Sequence, residues 1–140
     1  MINLAILVAT VWLASIPAHA MTYDAIYIRT LDADTHEFAI TVWPQVTVQT
    51  KAPLHGIDTP ETSWRAGKAC RAEENQHGDL AAEFAEQALQ NSNFVRIRKV
   101  KLGKFAGRVL GDVVLSGGES LSDLLVAEGF AVEYHGGKKP

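Results

Sequence analysis

Apolar and polar side chains alternate along much of the first half of the chain, with the period of a β-strand that has one buried face. The pattern predicts three successive strands, over residues 25–32, 37–43 and 46–50. In the second of these, Phe38, Ile40 and Val42 share one face. The Asp-rich segment 32–36 predicts a hairpin turn between the first two strands, and Pro44 ends the second strand.

The pattern changes to a helical period before strands return. After a polar, irregular segment at 62–77, a helix is predicted over 78–90. Its apolar stripe consists of Leu80, Ala81, Phe84 and Ala88. Two strands, a helix and a short last strand follow, over 94–100, 107–115, 121–129 and 130–134. Ser120 and Asp123 resemble a capping box at the start of the second helix, and Gly129 is a suitable terminator.

The predicted order is therefore β-β-β-α-β-β-α, which is mainly β with helices. Five main strands, with a helix between the third and the fourth, suit a small Greek-key barrel of the OB type. A five-stranded OB-fold barrel is thus the fold class that we expect.

The first twenty residues carry no charged side chain and contain an apolar run from Leu4 to Leu13, before Ala18-His19-Ala20. Such a run followed by a small-x-small site is typical of a cleaved signal peptide, and it is too short for a spanning helix. We expect a signal peptide at 1–20 and one domain at 21–140. The protein would be exported, to the periplasm or the medium, without a membrane attachment after cleavage. An uncleaved anchor or a start at Met21 is the alternative.

The charge balance limits the classes of partner. The chain has 16 acidic and 13 basic residues and a net charge of −3, which argues against coating nucleic acid through bulk charge. The basic segment 96–104 is either the lining of a local groove or the solvated face of a strand. Cys70 is the only cysteine, so no disulfide forms within the chain. The five histidines are scattered, which argues against a zinc site.

The segment HGIDTPE (55–61) places two carboxylates, Asp58 and Glu61, around a proline turn. If the third strand pairs in the same sheet, the first hairpin turn brings Asp34 beside Asp58. Two carboxylates at close range repel unless a cation lies between them, and Ca²⁺ favours carboxylates, backbone carbonyls and water. The pattern indicates a calcium site with Asp34, Asp58 and the Thr59 carbonyl as ligands. Ordinary turn chemistry is the alternative.

The same turn supplies candidate catalytic groups. Glu61 is placed to act as a base toward a water beside the metal. Phosphodiester cleavage also needs cations that stabilise the charge growing on the phosphorus oxygens. Arg108 and the basic segment 96–104 are the available suppliers.

Four segments in this order resemble the staphylococcal nuclease-like (thermonuclease) family, over roughly residues 23–136. They are LDADT (31–35), GIDTPE (56–61), GKFAGRVLGDVVL (103–115) and SLSDLLVAEGFAVEY (120–134). The resemblance implies an OB barrel with added helices, in agreement with the predicted element order. It further implies a set of roles, with Asp34, Asp58 and Thr59 as calcium ligands, Glu61 handling the attacking water, and Arg108 contacting the phosphate and transition state.

One functional position departs from the resemblance. The family has an arginine five residues before the second calcium aspartate, and this chain has Pro53 there. Proline cannot bind a phosphate, and losing one such electrostatic group typically costs about 10²–10³ in rate. Lys51 or His55, two residues away on the same strand face, is a candidate substitute. Arg65 or Lys68 from the polar segment is a second source, and lost catalysis with a retained binding role is the third reading.

The function that we expect is a calcium-dependent nuclease that hydrolyses phosphodiester bonds of DNA or RNA, with a rate reduced by Pro53. The resemblance implies a preference for unpaired strands, and we expect a monomer. Tyr134 falls near a tyrosine that contacts the nucleotide in relatives. The competing class is a catalytically impaired OB-fold module that binds single-stranded nucleic acid or a protein. A purely structural exported domain leaves Asp34, Asp58 and Glu61 unexplained.

Overall fold

The computed structural model describes residues 21–62, 72–102 and 109–136 of the 140-residue chain. The strands are β1 (Thr22–Asp32), β2 (Thr35–Trp43), β3 (Val46–Pro53), β4 (Ile57–Asp58), β5 (Val95–Leu102), β6 (Val109–Val114) and β7 (Val132–Glu133). The helices are α1 (Ala72–Gln90) and α2 (Leu121–Ala127). The element order is the predicted one, with β4 as a further strand of two residues and a last strand shorter than expected.

Five strands form a curled antiparallel sheet in the order β3-β2-β1-β5-β6. Two successive hairpins join β1 to β2 and β2 to β3, and β5 returns beside β1 with Val95 opposite Ala25. Just beyond β3, Leu54 forms a parallel bridge with Gly111 in β6, so the two edges of the sheet approach each other. This partly closed five-stranded arrangement is OB-like, and it confirms the predicted fold class.

The core lies where the sheet meets both helices. Its largest fully buried side chains include Phe38, Leu89, Ile97, Leu121 and Leu125. The predicted inward face of β2 is correct for Phe38 and Ile40 but wrong for Val42, which is 42% exposed. All residues from 41 to 49 are exposed because the β2–β3 hairpin extends beyond the core at this point.

Helix α1 is longer than the apolar pattern indicates. It begins at Ala72, so the prediction of an irregular segment up to residue 77 is wrong over its last six residues. The buried face repeats every four residues through Ala81, Ala85 and Leu89, whereas Leu80, placed on the apolar stripe from sequence, is 49% exposed. In the described part of the chain, no helix has the length and apolar character needed to cross a membrane.

Helix α2 is stabilised differently at its two ends. The predicted capping box is wrong, because the Ser120 hydroxyl donates to Asp112 Oδ1 at 2.6 Å and makes no cap to the helix. Gly129 is the terminator that was predicted: its φ is 77°, and the next residue, Phe130, donates its N–H to the Leu125 carbonyl at 2.8 Å.

A buried histidine lies beside the first hairpin turn. His36, in β2, is fully buried and packs edge-on against Phe38, with 6.3 Å between ring centroids. Its Nδ1 is 3.1 Å from the Thr30 hydroxyl, which is itself 2.9 Å from the Tyr27 hydroxyl. Burial lowers the pKa of His36 to about 4, because the charged imidazolium would lose its hydration.

This histidine should make the fold acid-sensitive. Between pH 6.5 and about 4 the unfolded chain binds a proton at His36 that the native state does not, so the free energy of unfolding falls as pH falls. The loss should be on the order of 3 kcal/mol over that window. In urea titrations at several pH values, His36→Gln should flatten this part of the pH profile. His55→Gln, at an exposed position, is the control and should keep the wild-type slope. An unchanged slope in His36→Gln would contradict the assignment.

Candidate active site

The β1–β2 turn holds the first two carboxylates of the candidate site. Asp32 ends β1, and its Oδ1 accepts the Ala33 N–H at 3.0 Å. Asp34 follows in the turn, and its Oδ1 accepts the Thr35 hydroxyl at 2.9 Å. Hydrogen bonds to the adjacent residue thus orient both carboxylates.

Pairing of β2 with β3 brings the second segment to this turn. The ladder ends with Thr35 opposite Pro53, and the Leu54 N–H then donates to the Asp34 carbonyl at 2.7 Å. The condition for Asp34 to meet the HGIDTPE segment, that the third strand joins the same sheet, is therefore fulfilled.

The chain next turns at Gly56, whose φ of 84° favours glycine, and enters β4. In β4, Asp58 is opposite Val132 of β7, and the Gly56 carbonyl accepts the Tyr134 N–H at 2.8 Å. The segment that carries Asp58 is thus anchored at one end by the sheet and along its length by the C-terminal strand.

The electrostatics of Asp34 connect it with the other acidic residues of both segments. Burial raises the pKa of Asp34, and the hydrogen bond from Thr35 acts in the opposite direction. The negative charges of Asp32, Asp58 and Glu61 raise the pKa of Asp34 further. The negative charges that act on Asp34 thus come from both segments, and we call Asp32, Asp34, Asp58 and Glu61 together the acidic cluster. Sequence reasoning overlooked Asp32, although it lies in the same LDADT turn.

The chemistry of the acidic cluster suits a hard cation. Its donors are carboxylate oxygens, which are ligands that Ca²⁺ and Mg²⁺ prefer. Within the described ranges, no three Asp, Glu, His or Cys side chains form a ready-made metal site. A cation held here would thus take only part of its ligands from side chains. Burial is the largest cause of the raised pKa of Asp34, the neighbouring negative charges add to it, and added positive charge would oppose both effects.

Two candidate substitutes for the missing arginine, Lys51 and His55, have neighbours other than the acidic cluster. Lys51 is exposed, opposite Glu37 in the β2–β3 ladder. The hydrogen bond from Arg29 lowers the pKa of Glu37, and the charge of Lys51 acts in the same direction. His55 is exposed and lines a separate cavity of about 940 Å³, whose walls include neither Asp34, Asp58 nor Glu61.

The basic segment 96–104 is only partly described, and its two arginines are engaged within the fold. Arg98 Nε donates to Asp112 Oδ2 at 2.7 Å. Arg96 Nε forms an ion pair with Asp24 Oδ1 at 3.4 Å. Arg96 also lies over the Phe94 ring, 4.9 Å from its centroid. These contacts favour the solvated strand face over a phosphate-binding groove for Arg96 and Arg98. The predicted catalytic Arg108, like Arg65, Lys68 and Cys70, is outside the described residues.

The fold and the acidic cluster define an OB-type protein with a candidate cation site at the turn of its first hairpin. A sequence model of the family described as staphylococcal nuclease homologue matches residues 51–139. The match covers more than half of the chain, so the chain belongs to this family. In a comparison with individual curated protein sequences, none matches. The matched range includes Asp58, Thr59, Glu61 and Arg108, whereas Asp34 precedes it.

Removing the Asp34 charge should stabilise the metal-free protein. A carboxyl whose pKa is raised by folding destabilises the native state once the pH exceeds the unfolded value, because the native carboxyl resists ionisation. In chelator at pH 7, Asp34→Asn should therefore raise the melting temperature, while its Oδ1 still accepts the Thr35 hydroxyl. The gain should disappear below about pH 4, where the unfolded carboxyl is also protonated.

Glu119→Gln is the matched control for this measurement, since it removes the same charge from an exposed turn position. It should leave the melting temperature nearly unchanged. A lower melting temperature for Asp34→Asn in chelator would show that the cluster does not carry unrelieved negative charge.

Proposed function

We propose that this member of the staphylococcal nuclease homologue family is a calcium-dependent nuclease that hydrolyses phosphodiester bonds of DNA or RNA. The observation that carries the proposal is the joining of the Asp34 turn to the segment of Asp58 and Glu61, through the end of the β2–β3 ladder and the hydrogen bond from the Leu54 N–H to the Asp34 carbonyl. Family membership supports nuclease chemistry in general. A structural role alone gives no reason to bring three acidic side chains together at an energetic cost.

The acidic residues divide into two roles in this proposal. Asp34, Asp58 and the Thr59 carbonyl hold the cation, with water or a substrate phosphate as further ligands. Bound Ca²⁺ would supply positive charge that stabilises the oxygens of the phosphate as negative charge grows on them. Glu61 accepts a proton from the attacking water as the new P–O bond forms and the ester P–O bond breaks.

Cationic help from the chain itself would come from Arg108. The family position of the other arginine is Pro53, which lies opposite Thr35 and so adjoins the acidic cluster. The proposed enzyme is therefore slow, because one source of transition-state stabilisation is missing. Arg65 or Lys68 remains a candidate replacement.

We further propose that the substrate is preferentially unpaired nucleic acid and that Tyr134 contributes to its binding. Tyr134 lies next to the segment of Asp58, through its hydrogen bond to Gly56. The protein would act as an exported monomer after removal of residues 1–20.

Pro53 also favours a second candidate function, that of a binding module. If the missing charge abolishes cleavage, the OB-type sheet would still offer a surface for single-stranded nucleic acid or a protein. The two candidate functions differ in whether the protein cleaves the phosphodiester backbone of a nucleic acid or only binds its partner.

Cleavage of denatured DNA and of RNA by the protein lacking residues 1–20 tests the proposal. Acid-soluble fragments should appear with Ca²⁺ and not with chelator. Glu61→Gln should lower kcat by roughly 10²–10⁴. Ca²⁺ should also raise the melting temperature of the wild type and of Glu61→Gln, but not that of Asp34→Asn or Asp58→Asn. Cleavage that survives in chelator or in Glu61→Gln would refute the mechanism, and binding without cleavage would favour the module.

Introducing an arginine at position 53 should raise the rate of cleavage. Pro53→Arg places a guanidinium at the end of β3, opposite Thr35, and also restores a backbone N–H. We expect kcat/KM with Ca²⁺ to rise by about 10²–10³ if this charge limits the wild type. Pro53→Gln, which restores the N–H without the charge, is the control and should gain little. An unchanged or lower rate in Pro53→Arg would count against the missing charge as the limiting defect.

A further inference from the structure

Helix α1 passes unusually close to the backbone that carries Glu61. A Cβ placed on Gly78 would lie 2.2 Å from the Glu61 carbonyl oxygen and 2.6 Å from its carbonyl carbon. It would also lie 2.8 Å from the Pro60 carbonyl oxygen. Side chains do not tolerate such separations, and the obstructing atoms are backbone atoms that cannot rotate away. Only glycine permits this approach.

The conformation of α1 gives no other reason for a glycine at this position. Gly78 lies in the helix interior, and its φ is not positive. Glycine is less favourable than alanine inside a helix, because it loses more conformational freedom on folding. The close approach to residues 60 and 61 is therefore the feature that requires it.

The contact also connects a firmly packed element to an irregular one. Further along α1, Ala81, Ala85 and Leu89 are buried against the sheet, so the helix position is set by the core. Residues 59–62 follow β4 without regular secondary structure. Because this segment packs against α1 at Gly78, the helix determines the position of the segment.

We propose that Gly78 is a positioning residue for Glu61: it lets α1 seat the 60–61 backbone and thereby determines where the Glu61 carboxylate stands. This rests on the proposed function insofar as Glu61 handles the attacking water. The effect runs through the backbone of Glu61, and Gly78 itself contacts no substrate.

Steady-state kinetics of Gly78→Ala test the proposal. A displacement of about 1 Å at a catalytic group can cost on the order of 10²-fold, so we expect kcat to fall by roughly 10–100-fold with KM changed less than about threefold. Ala85→Val is the matched control, because it adds volume to the same face of α1 within the core. It should lower the melting temperature while leaving kcat within about threefold of wild type.

A double-mutant cycle separates positioning of Glu61 from a general loss of structure. If Gly78 acts through Glu61, Gly78→Ala should have little further effect on kcat in the Glu61→Gln background. Full additivity of the two losses would overturn the proposal. A Gly78→Ala enzyme with wild-type kcat would overturn it as well, while leaving the proposed function intact.

NMR measurements decide the matter without relying on cleavage. In the wild type, NOEs should connect the Gly78 α-protons with the amide protons of residues 61 and 62, and their absence would overturn the proposal even if Gly78→Ala does not fold. In folded Gly78→Ala, the backbone amide resonances of residues 61 and 62 should shift, whereas in Ala85→Val they should not. A shift seen in a protein that cleaves nothing would refute the proposed function and keep the positional role. Unmoved amide resonances of residues 61 and 62 would refute the positional role.

Discussion

The register between β2 and β3 is the constraint on which the rest of this protein depends. With Thr35 opposite Pro53, the first hairpin turn lies against the end of the third strand, and the Leu54 N–H reaches the Asp34 carbonyl. A slip of one residue would exchange the two faces of the strand and bury Lys51 in place of Ala52. The same register that builds the core therefore also brings the acidic residues of two segments together.

Bringing carboxylates together works against folding. Asp34 is partly desolvated and faces three other acidic side chains, so its ionised form is disfavoured in the native state. The buried His36 adds a second electrostatic cost at low pH. A cation bound at the proposed site would oppose this cost, and its binding would then contribute to stability through linkage. Stability and cation binding are thus coupled through the same few side chains.

The positive charges are distributed differently from the negative ones. Arg29, Arg96 and Arg98 each pair with a carboxylate within the sheet, where they stabilise strand pairing. None of these three is available at the acidic cluster, and Pro53 removes another source of positive charge beside it. In the proposed nuclease site, the acidic groups are therefore among the described residues, whereas the basic groups would come from the segments around Arg65 and Arg108.

Local sequence determined much of this protein: the strand pattern, the Asp-rich turn and the terminator Gly129. These features follow from side-chain periodicity and turn chemistry, which act over a few residues. Tertiary structure alone decided that α1 starts at Ala72, that Ser120 bonds to Asp112 rather than capping α2, and that Leu80 is largely exposed. It also decided that Gly78 presses on the Glu61 backbone. The physical reason is that each of these depends on which distant segment packs against the residue, and periodicity along one segment does not encode its neighbours in space.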